Sequence, residues 1–208
     1  MTDWMAEFKR VGAVWIHDGH PERPFALLTS GRCSNGFVNC TFVTQRPGLL
    51  RRIVASPDGL APLLPSGKVD WVIGSAFGAV TLAYVIAEKL GAKAGFTQKK
   101  DEGMELARFT VEPGERVLIV EDTISTGGST QKTIAAIEEA AKGQAELLSV
   151  IVCLVNRSGK DELDGRQIRP LLKLDIQSWT LDELKKKGRD VKVVRPKDHW
   201  QELTMPRS

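Results

Sequence analysis

The fold is decided by one stretch of fourteen residues, Val117-Leu118-Ile119-Val120-Glu121-Asp122-Thr123-Ile124-Ser125-Thr126-Gly127-Gly128-Ser129-Thr130. Its four leading apolar residues predict a buried central strand over residues 116–120, which delivers two adjacent carboxylates to its carboxyl end. Ligands bind outside that end of the strands in open α/β sheets. A hydroxyl-rich turn with two glycines follows, and it predicts a helix over about residues 129–142.

This turn also predicts an anion site. Backbone N–H groups at such a turn, together with the positive end of the helix dipole, favour a bound phosphate. Glu121 and Asp122 would repel that phosphate, and vicinal hydroxyls are good partners for ionised carboxylates. The stretch therefore predicts a sugar phosphate site, with the anion in the turn and the sugar hydroxyls on the acids. A turn whose polar residues only cap the next helix is the weaker alternative.

Two other nucleotide-binding motifs do not fit the same stretch. A P-loop requires GxxxxGK[ST], but Gln131 precedes Lys132 and Thr133 where the second glycine must stand. A dinucleotide fingerprint places its acid about 20 residues after the glycines. Here the acids come before the glycines, so neither motif is predicted.

Short strands and helices alternate along the rest of the chain. Helices are predicted at 3–12, 47–56 and 80–90, and strands at 69–73, 94–97, 106–111, 147–155, 171–176 and 191–194. This alternation predicts a parallel sheet with helices on its faces. Pro196 and Pro206 suggest that the C-terminal end is loosely tethered.

Composition excludes several classes of protein. The chain has 208 residues, a length that suits one domain, and its 29 basic against 26 acidic residues give a net charge of only +3. That field is too weak to predict a nucleic-acid surface. Cys33, Cys40 and Cys153 form no CxxC pair, which argues against a disulfide framework or a zinc cage and favours a reducing cytoplasm. No apolar run approaches the roughly 18 residues of a membrane span.

The fourteen-residue stretch closely resembles the phosphoribosyl pyrophosphate (PRPP) signature of the type I phosphoribosyltransferases. Four further segments, in chain order, are most similar to the orotate phosphoribosyltransferases of that family: the hood segment at 28–39, the pyrophosphate loop at 72–79, the catalytic lid at 95–104 and the base-facing segment at 155–159. Some positions depart from the family pattern. Cys33 replaces a histidine, Ser75 a proline, Ala79 a glycine, Asn156 an aspartate and Thr29 a lysine.

This resemblance implies a fold and a reaction. The fold is an α/β type with a central, mostly parallel sheet flanked by helices, in a single domain over 1–208. Its core spans about 46–164, and a small hood is built from about 1–45 and 165–208. The reaction transfers ribose 5-phosphate from PRPP to orotate, giving orotidine 5′-monophosphate and pyrophosphate in de novo pyrimidine synthesis. Mg²⁺ carried largely by PRPP, a cytoplasmic location and a homodimer with a lid shared across subunits are also implied.

The resemblance also assigns roles to residues. Lys99 and Asp122 are expected to be catalytic, and Arg157 and Phe37 to bind the base. The PRPP site is expected to comprise the acids Glu121 and Asp122 for the sugar hydroxyls and Ser125, Thr126, Gly127, Gly128 and Ser129 for the 5-phosphate. The pyrophosphate loop comprises Gly74, Ser75, Ala76, Phe77 and Gly78. No protein ligand to a metal is predicted.

Several alternatives stay open on the sequence alone. Lys100 rivals Lys99 as the lid residue, and both could be solvated lysines in a turn. Arg157 could form a surface salt bridge, and Phe37 could be a core residue. A type I phosphoribosyltransferase for another base, or a non-catalytic regulator that binds PRPP or a nucleotide, are the alternative functions.

Overall fold

A computed structural model describes residues 1–28, 30–186 and 191–204, so that Thr29 and Pro206 lie outside the described residues. The helices are α1 (Trp4–Arg10), α2 (Thr41–Thr44), α3 (Pro47–Ala55), α4 (Val80–Leu90), α5 (Gly128–Ala140), α6 (Leu181–Lys186) and α7 (Trp200–Thr204), with a 3-10 turn at Ala61–Leu63. The strands are β1 (Val14–Ile16), β2 (Phe25–Leu27), β3 (Cys33–Ser34), β4 (Gly36–Val38), β5 (Trp71–Ser75), β6 (Lys93–Lys100), β7 (Gly103–Glu105), β8 (Arg116–Ile124), β9 (Glu146–Asn156), β10 (Glu162–Leu163), β11 (Arg166–Lys173), β12 (Ser178–Trp179) and β13 (Val193–Val194).

These elements divide into two compact units. The first unit holds residues 1–4 and 40–174, and the second holds residues 5–39 and the chain from 175 onward. A seven-stranded sheet in the order β10-β11-β9-β8-β5-β6-β7 forms the centre of the first unit. The strands from β11 to β6 pair in parallel, and only the two edge strands are antiparallel. The predicted α/β class with a mostly parallel sheet is confirmed.

The two best-predicted helices have clear sequence boundaries. Helix α3 begins with Pro47, whose fixed φ suits a first helical position, and its buried side chains are the four that periodicity places inward. Helix α4 ends at Gly91, which adopts a left-handed conformation with φ of 65°. Within the described residues, no helix is long and apolar enough to cross a membrane.

The central strand β8 extends further than its apolar residues predict. Val117, Leu118, Ile119 and Val120 are all buried, as expected for a strand covered on both faces. Pairing with β9 then continues to Ile124, which lies opposite Asn156. The two acids therefore lie within the paired part of β8, near its carboxyl end, and not in a loop after it.

The strand predicted over residues 106–111 is not formed. The edge strand β7 occupies Gly103–Glu105 instead and pairs with β6 as a hairpin. Leu106 and Val111 are buried in the same core as Trp71, and Phe109 packs edge-on against the Trp71 ring. The apolar residues of this segment thus reflect burial of a connecting segment and not strand pairing.

The second unit is built from both ends of the chain. It contains a four-stranded sheet in the order β12-β3-β2-β13 and the separate pair β1-β4. The buried Arg23 forms an ion pair with Asp18 at 2.8 Å and donates from Nη1 to the carbonyl of Leu203 at 2.6 Å. Leu203 in α7 is fully buried, so the end of the chain is packed as far as residue 204 and not loosely tethered there.

Candidate active site

Asp122 offers one unused carboxylate oxygen at the carboxyl end of β8. Its Oδ1 accepts the Thr123 N–H at 2.8 Å, whereas Oδ2 has no hydrogen-bond donor among the described residues. A Cβ on Gly78 would lie 2.5 Å from Oδ2, so a glycine is what lets the two segments approach. Burial raises the pKa of Asp122 above its ordinary value. Asp122 and Gly78 are therefore neighbours, as a shared sugar and pyrophosphate site requires.

Glu121 has a different environment from Asp122. Successive residues of a strand point to opposite faces, so the two adjacent carboxylates separate. Glu121 is only 2% exposed, and its oxygens accept hydrogen bonds from Ser75 Oγ at 2.6 Å and Thr130 Oγ1 at 3.1 Å. Burial raises its pKa to about 7. Its sugar-binding role stays a prediction, and its two oxygens already have donors within the protein.

The predicted phosphate turn joins β8 to α5 in three residues, Ser125, Thr126 and Gly127. Gly127 has a φ of 89°, a conformation that favours glycine, and it stands at the N-cap of the helix without a side chain to offer. The first N–H groups of a helix have no acceptor within the helix. The Gly128 N–H donates to Thr126 Oγ1 at 3.4 Å, and Ser125, Thr126 and Ser129 around the start of the helix are exposed.

The predicted pyrophosphate loop leads from β5 into α4. A Cβ on Gly74 would lie 2.7 Å from the carbonyl oxygen of Ala79, which explains why the loop can close back on its own strand. The Ala76 N–H donates to the Thr97 carbonyl at 2.8 Å, tying the loop to β6. Phe77 is 89% exposed. The loop thus has a fixed base and an open tip beside Asp122.

Arg157 lies directly after β9, beside the start of the phosphate turn. Its N–H donates to the Ile124 carbonyl at 2.9 Å, and its side chain is half-buried. The buried Nε has no hydrogen-bond partner, and no carboxylate in the described part of the chain pairs with the guanidinium. Burial lowers the pKa of Arg157. This guanidinium fits an anionic ligand better than it fits the surface salt-bridge alternative.

The two lysines of the predicted lid differ in their partners. They end β6, which turns into β7 at Asp101 and Glu102. Lys100 Nζ lies 3.1 Å from the Glu105 carboxylate, and this bond raises the pKa of Lys100. Lys99 is exposed, and across the described ranges it has no ion-pair or hydrogen-bond partner on its side chain. The hairpin therefore leaves Lys99 as the free cation of the two.

Phe37 belongs to the second unit. It lies in β4 opposite Trp15, and its ring packs edge-on against Trp200 with centroids 6.0 Å apart. It is partly buried in a small apolar cluster that also contains Leu203. These contacts suit the core alternative, and the predicted stacking on the base stays a prediction.

Two side chains near the site received no role from the sequence. Thr130 forms a buried bond to Glu121, although it stands in the quoted stretch itself. Asn156 accepts from the Ser158 hydroxyl at 2.7 Å and donates from Nδ2 to the Lys160 carbonyl at 2.7 Å. An aspartate could not make that donation, which gives a structural reason for the departure at Asn156. Its turn holds Arg157 in place.

Comparisons with known proteins bear on the family. No family model matches the chain. It is 37% identical to an orotate phosphoribosyltransferase of Caldicellulosiruptor saccharolyticus over 82% of this chain and 86% of that protein. It is 36% identical to the protein of the same name from Thermus thermophilus over 85% of this chain and 90% of the other.

A solved structure supports the fold independently. The crystal structure of orotate phosphoribosyltransferase from Aeropyrum pernix matches with a TM-score of 0.58 over 88% of this chain and 97% of that chain. Its sequence identity of 23% means that this likeness shows the fold alone. The sequence relatives, above 30% identity across most of the chain, carry the family assignment. The chain belongs to the orotate phosphoribosyltransferase family.

Proposed function

We propose that the chain transfers ribose 5-phosphate from PRPP to a ring nitrogen of orotate. In this reaction the bond from the sugar C1 to the pyrophosphate oxygen breaks and a bond from C1 to the nitrogen forms. The nitrogen releases its proton, and the products are orotidine 5′-monophosphate and pyrophosphate. The named relatives support this reaction, which belongs to pyrimidine synthesis.

The sugar passes through a cationic, oxocarbenium-like state, so catalysis depends on alignment and on charge stabilisation. Asp122 accepts hydrogen bonds from the sugar hydroxyls through its unused oxygen. The N-terminus of α5 binds the 5-phosphate, since its N-cap residue Gly127 supplies no side-chain cap. The loop at 74–78 binds the pyrophosphate, and Lys99 neutralises its developing charge.

The observation that carries the choice of base is the partnerless guanidinium of Arg157. A half-buried charge without a partner is costly unless a ligand supplies one. Orotate carries a carboxylate, which a planar guanidinium binds through two parallel hydrogen bonds. Uracil and the purine bases lack this group, so Arg157 supports orotate over them.

Magnesium enters the proposal as part of the PRPP complex. Its preferred ligands are oxygen atoms, and it usually keeps most of its shell from water and substrate phosphates. Among the described residues there is no group of three His, Cys, Asp or Glu side chains that could hold a metal. We assign the ion largely to PRPP, where it would supply charge neutralisation for the departing pyrophosphate.

The proposal includes an assembly and a location. We assign the chain to a single phosphoribosyltransferase domain that works as a homodimer, with the lid of one subunit reaching the site of its partner. Support comes from the lid hairpin at the edge of the large sheet, where Lys99 has no partner within its own described chain. The free, buried cysteines support a cytoplasmic location.

The test is a turnover assay with a panel of bases. Purified protein is mixed with PRPP, Mg²⁺ and orotate, and the PRPP-dependent loss of orotate absorbance is followed. Uracil and adenine are tested in parallel by product chromatography. Among the three bases, we expect turnover only with orotate.

Turnover with another base and none with orotate would assign the chain to a different phosphoribosyltransferase activity. Binding of PRPP without turnover of any base would favour the regulator instead. Either result contradicts the proposed reaction.

A further inference from the structure

A buried carboxyl group connects the two loops that are proposed to bind the two ends of PRPP. Ser75, at the end of β5, leads into the pyrophosphate loop, and Thr130 lies in the first turn of α5, just after the phosphate turn. Both donate hydroxyl hydrogen bonds to Glu121, to different oxygens of the same carboxyl group. Ser75 and Thr130 are each buried, so water does not compete for these bonds.

We propose that Glu121 is a positioning residue that sets the spacing between the two anion-binding loops, with Ser75 and Thr130 as its contacts. The inference rests on the proposed function, because it concerns the site at which PRPP binds. This positioning role is additional to the sugar contact that is predicted for Glu121.

The chemistry of the carboxyl group suits this role. A carboxyl group has two oxygens that can accept hydrogen bonds, so it can bind one donor from each of two separate elements. Burial raises the pKa of Glu121, as does the neighbouring Asp122, while the hydroxyls of Ser75 and Thr130 lower it. Cys153 is a further titratable group close to this carboxyl. A glutamine would keep the shape but offer only one acceptor.

The Ser75 end of this connection departs from the family pattern. The family resemblance places a proline at this position, and proline has neither a hydroxyl nor another side-chain donor. The Ser75 Oγ lies 2.6 Å from Glu121 Oε2, which is a short bond between hydroxyl and carboxylate oxygens. Ser75, one of the residues that depart from the family pattern, therefore joins the pyrophosphate loop to β8.

The expected loss of affinity depends on whether a ligand occupies one loop or both. PRPP carries a phosphate at one end and a pyrophosphate at the other, so it binds well only when the two loops are correctly spaced. Ribose 5-phosphate or pyrophosphate alone occupies one loop and does not depend on that spacing. Loss of the Glu121 contacts should therefore weaken PRPP selectively.

The experiment measures dissociation constants of PRPP, ribose 5-phosphate and pyrophosphate by calorimetry, each with Mg²⁺, for full-length variants. Ser75→Ala and Glu121→Gln should each weaken PRPP about tenfold. Ser75→Ala should change the affinities for the two half-ligands by less than about twofold, and Glu121→Gln should leave the affinity for pyrophosphate within the same limit. The variant that carries both substitutions should bind PRPP as well as the more affected of the two single variants does, since both substitutions remove the same connection. Thr130→Val keeps the side-chain shape and breaks the same connection at its other end, so it should weaken PRPP binding as well.

Thr133→Val is the matched control. Thr133 is one turn further along α5, fully buried, and its hydroxyl pairs with Thr97 Oγ1 at 2.8 Å and not with Glu121. This variant loses a buried hydroxyl of the same helix and should leave PRPP affinity unchanged. If Thr133→Val weakens PRPP binding as much as Ser75→Ala does, the loss of affinity does not depend on the Glu121 contacts and the proposal is wrong.

Other outcomes separate the inference from the proposed function. If Glu121→Gln weakens ribose 5-phosphate as much as PRPP while Ser75→Ala changes nothing, Glu121 binds the sugar directly. If Ser75→Ala weakens the binding of free pyrophosphate as much as it weakens the binding of PRPP, Ser75 is a direct ligand of the pyrophosphate. Normal PRPP binding by every variant overturns only the positioning role. Failure of the wild-type chain to bind PRPP overturns the proposed function itself.

Discussion

Replacing Arg157 with alanine tests the base site most directly. The guanidinium is half-buried, its Nε has no partner, and its N–H is bonded to the end of β8. Because burial lowers the pKa of Arg157, its charge is unfavourable in the folded chain without a ligand. We expect Arg157→Ala to fold normally, with a melting temperature equal to or above that of the wild type.

The expected magnitude follows from the environment of this side chain. Removing one partner of a desolvated charge pair costs about 2–5 kcal/mol, much of it from the charge that is left unpaired. Arg157 is half-buried and not fully enclosed, so we take a value near the middle, about 3 kcal/mol. That free energy corresponds to an affinity for orotate lower by roughly 150-fold. The affinity for PRPP should change by less than about twofold, because separate elements hold it.

The assay combines initial rates with direct binding. Orotate absorbance gives KM and kcat for orotate and for PRPP, and calorimetry gives the two affinities. Arg166→Ala is a suitable control, because the Arg166 side chain is also largely buried but already faces Glu138 at 3.6 Å. Arg157→Lys should fall between wild type and alanine, since it keeps the charge but loses the planar pair of donors.

Uracil, which lacks the carboxylate, shows whether a variant that binds orotate weakly has lost the contact to the carboxylate or binds its ligands poorly in general. If Arg157 binds the carboxylate, wild type should prefer orotate over uracil strongly, and Arg157→Ala should lose most of that preference. An Arg157→Ala variant that binds orotate as the wild type does, or that loses orotate and PRPP equally, would refute this role for Arg157.

Further predictions concern the sugar site, the lid and pH. Asp122→Asn should lower turnover on the order of a hundredfold without a change in melting temperature. Gly78→Ala should have the same effect, because its Cβ would displace the Asp122 carboxylate. Normal PRPP kinetics in both variants would argue against the predicted sugar site. Lys99→Ala should lower kcat on the order of a hundredfold while Lys100→Ala keeps most of it, and the reverse order would make Lys100 the lid residue. Co-refolding Lys99→Ala with Asp122→Asn should restore roughly a quarter of wild-type activity if the lid acts across subunits, and none if it acts within one. Since the folded pKa of Glu121 is raised to about 7 from an ordinary 4.5, its contribution to stability is present at low pH and is lost as the pH rises through 7. The melting temperature of Glu121→Gln relative to wild type should therefore rise between pH 5 and pH 8, and a constant difference in thermal denaturation would contradict this.

Much of the fold could be predicted from the sequence because its signals are local. Pro47 and Gly91 mark helix ends by their own backbone preferences, so α3 and α4 begin or end where expected. The strand predicted at 106–111 failed for the opposite reason. Leu106 and Val111 are apolar because the core covers them, and a residue pattern cannot tell burial from pairing.

The site was only partly predictable. Adjacent acids on a strand predict a polar site, but the alternation that separates Glu121 from Asp122 matters only once the strand is known to continue past them. The partner Ser75 is 46 positions away from Glu121, and no spacing rule joins them. The contrast between Lys99 and Lys100 likewise depends on Glu105, across a hairpin turn.

The second unit, which draws on both ends of the chain, constrains the order in which a nascent chain can fold. Every strand of the large sheet lies between residues 71 and 173, so that sheet can form before synthesis is complete. Phe25 of β2, by contrast, pairs with Val193 of β13. At usual translation rates the early strand waits on the order of ten seconds or more for that partner to leave the ribosome. During that interval the apolar residues of β2 lack one of their neighbours in the four-stranded sheet, which makes residues 25–27 a natural segment for a chaperone to protect.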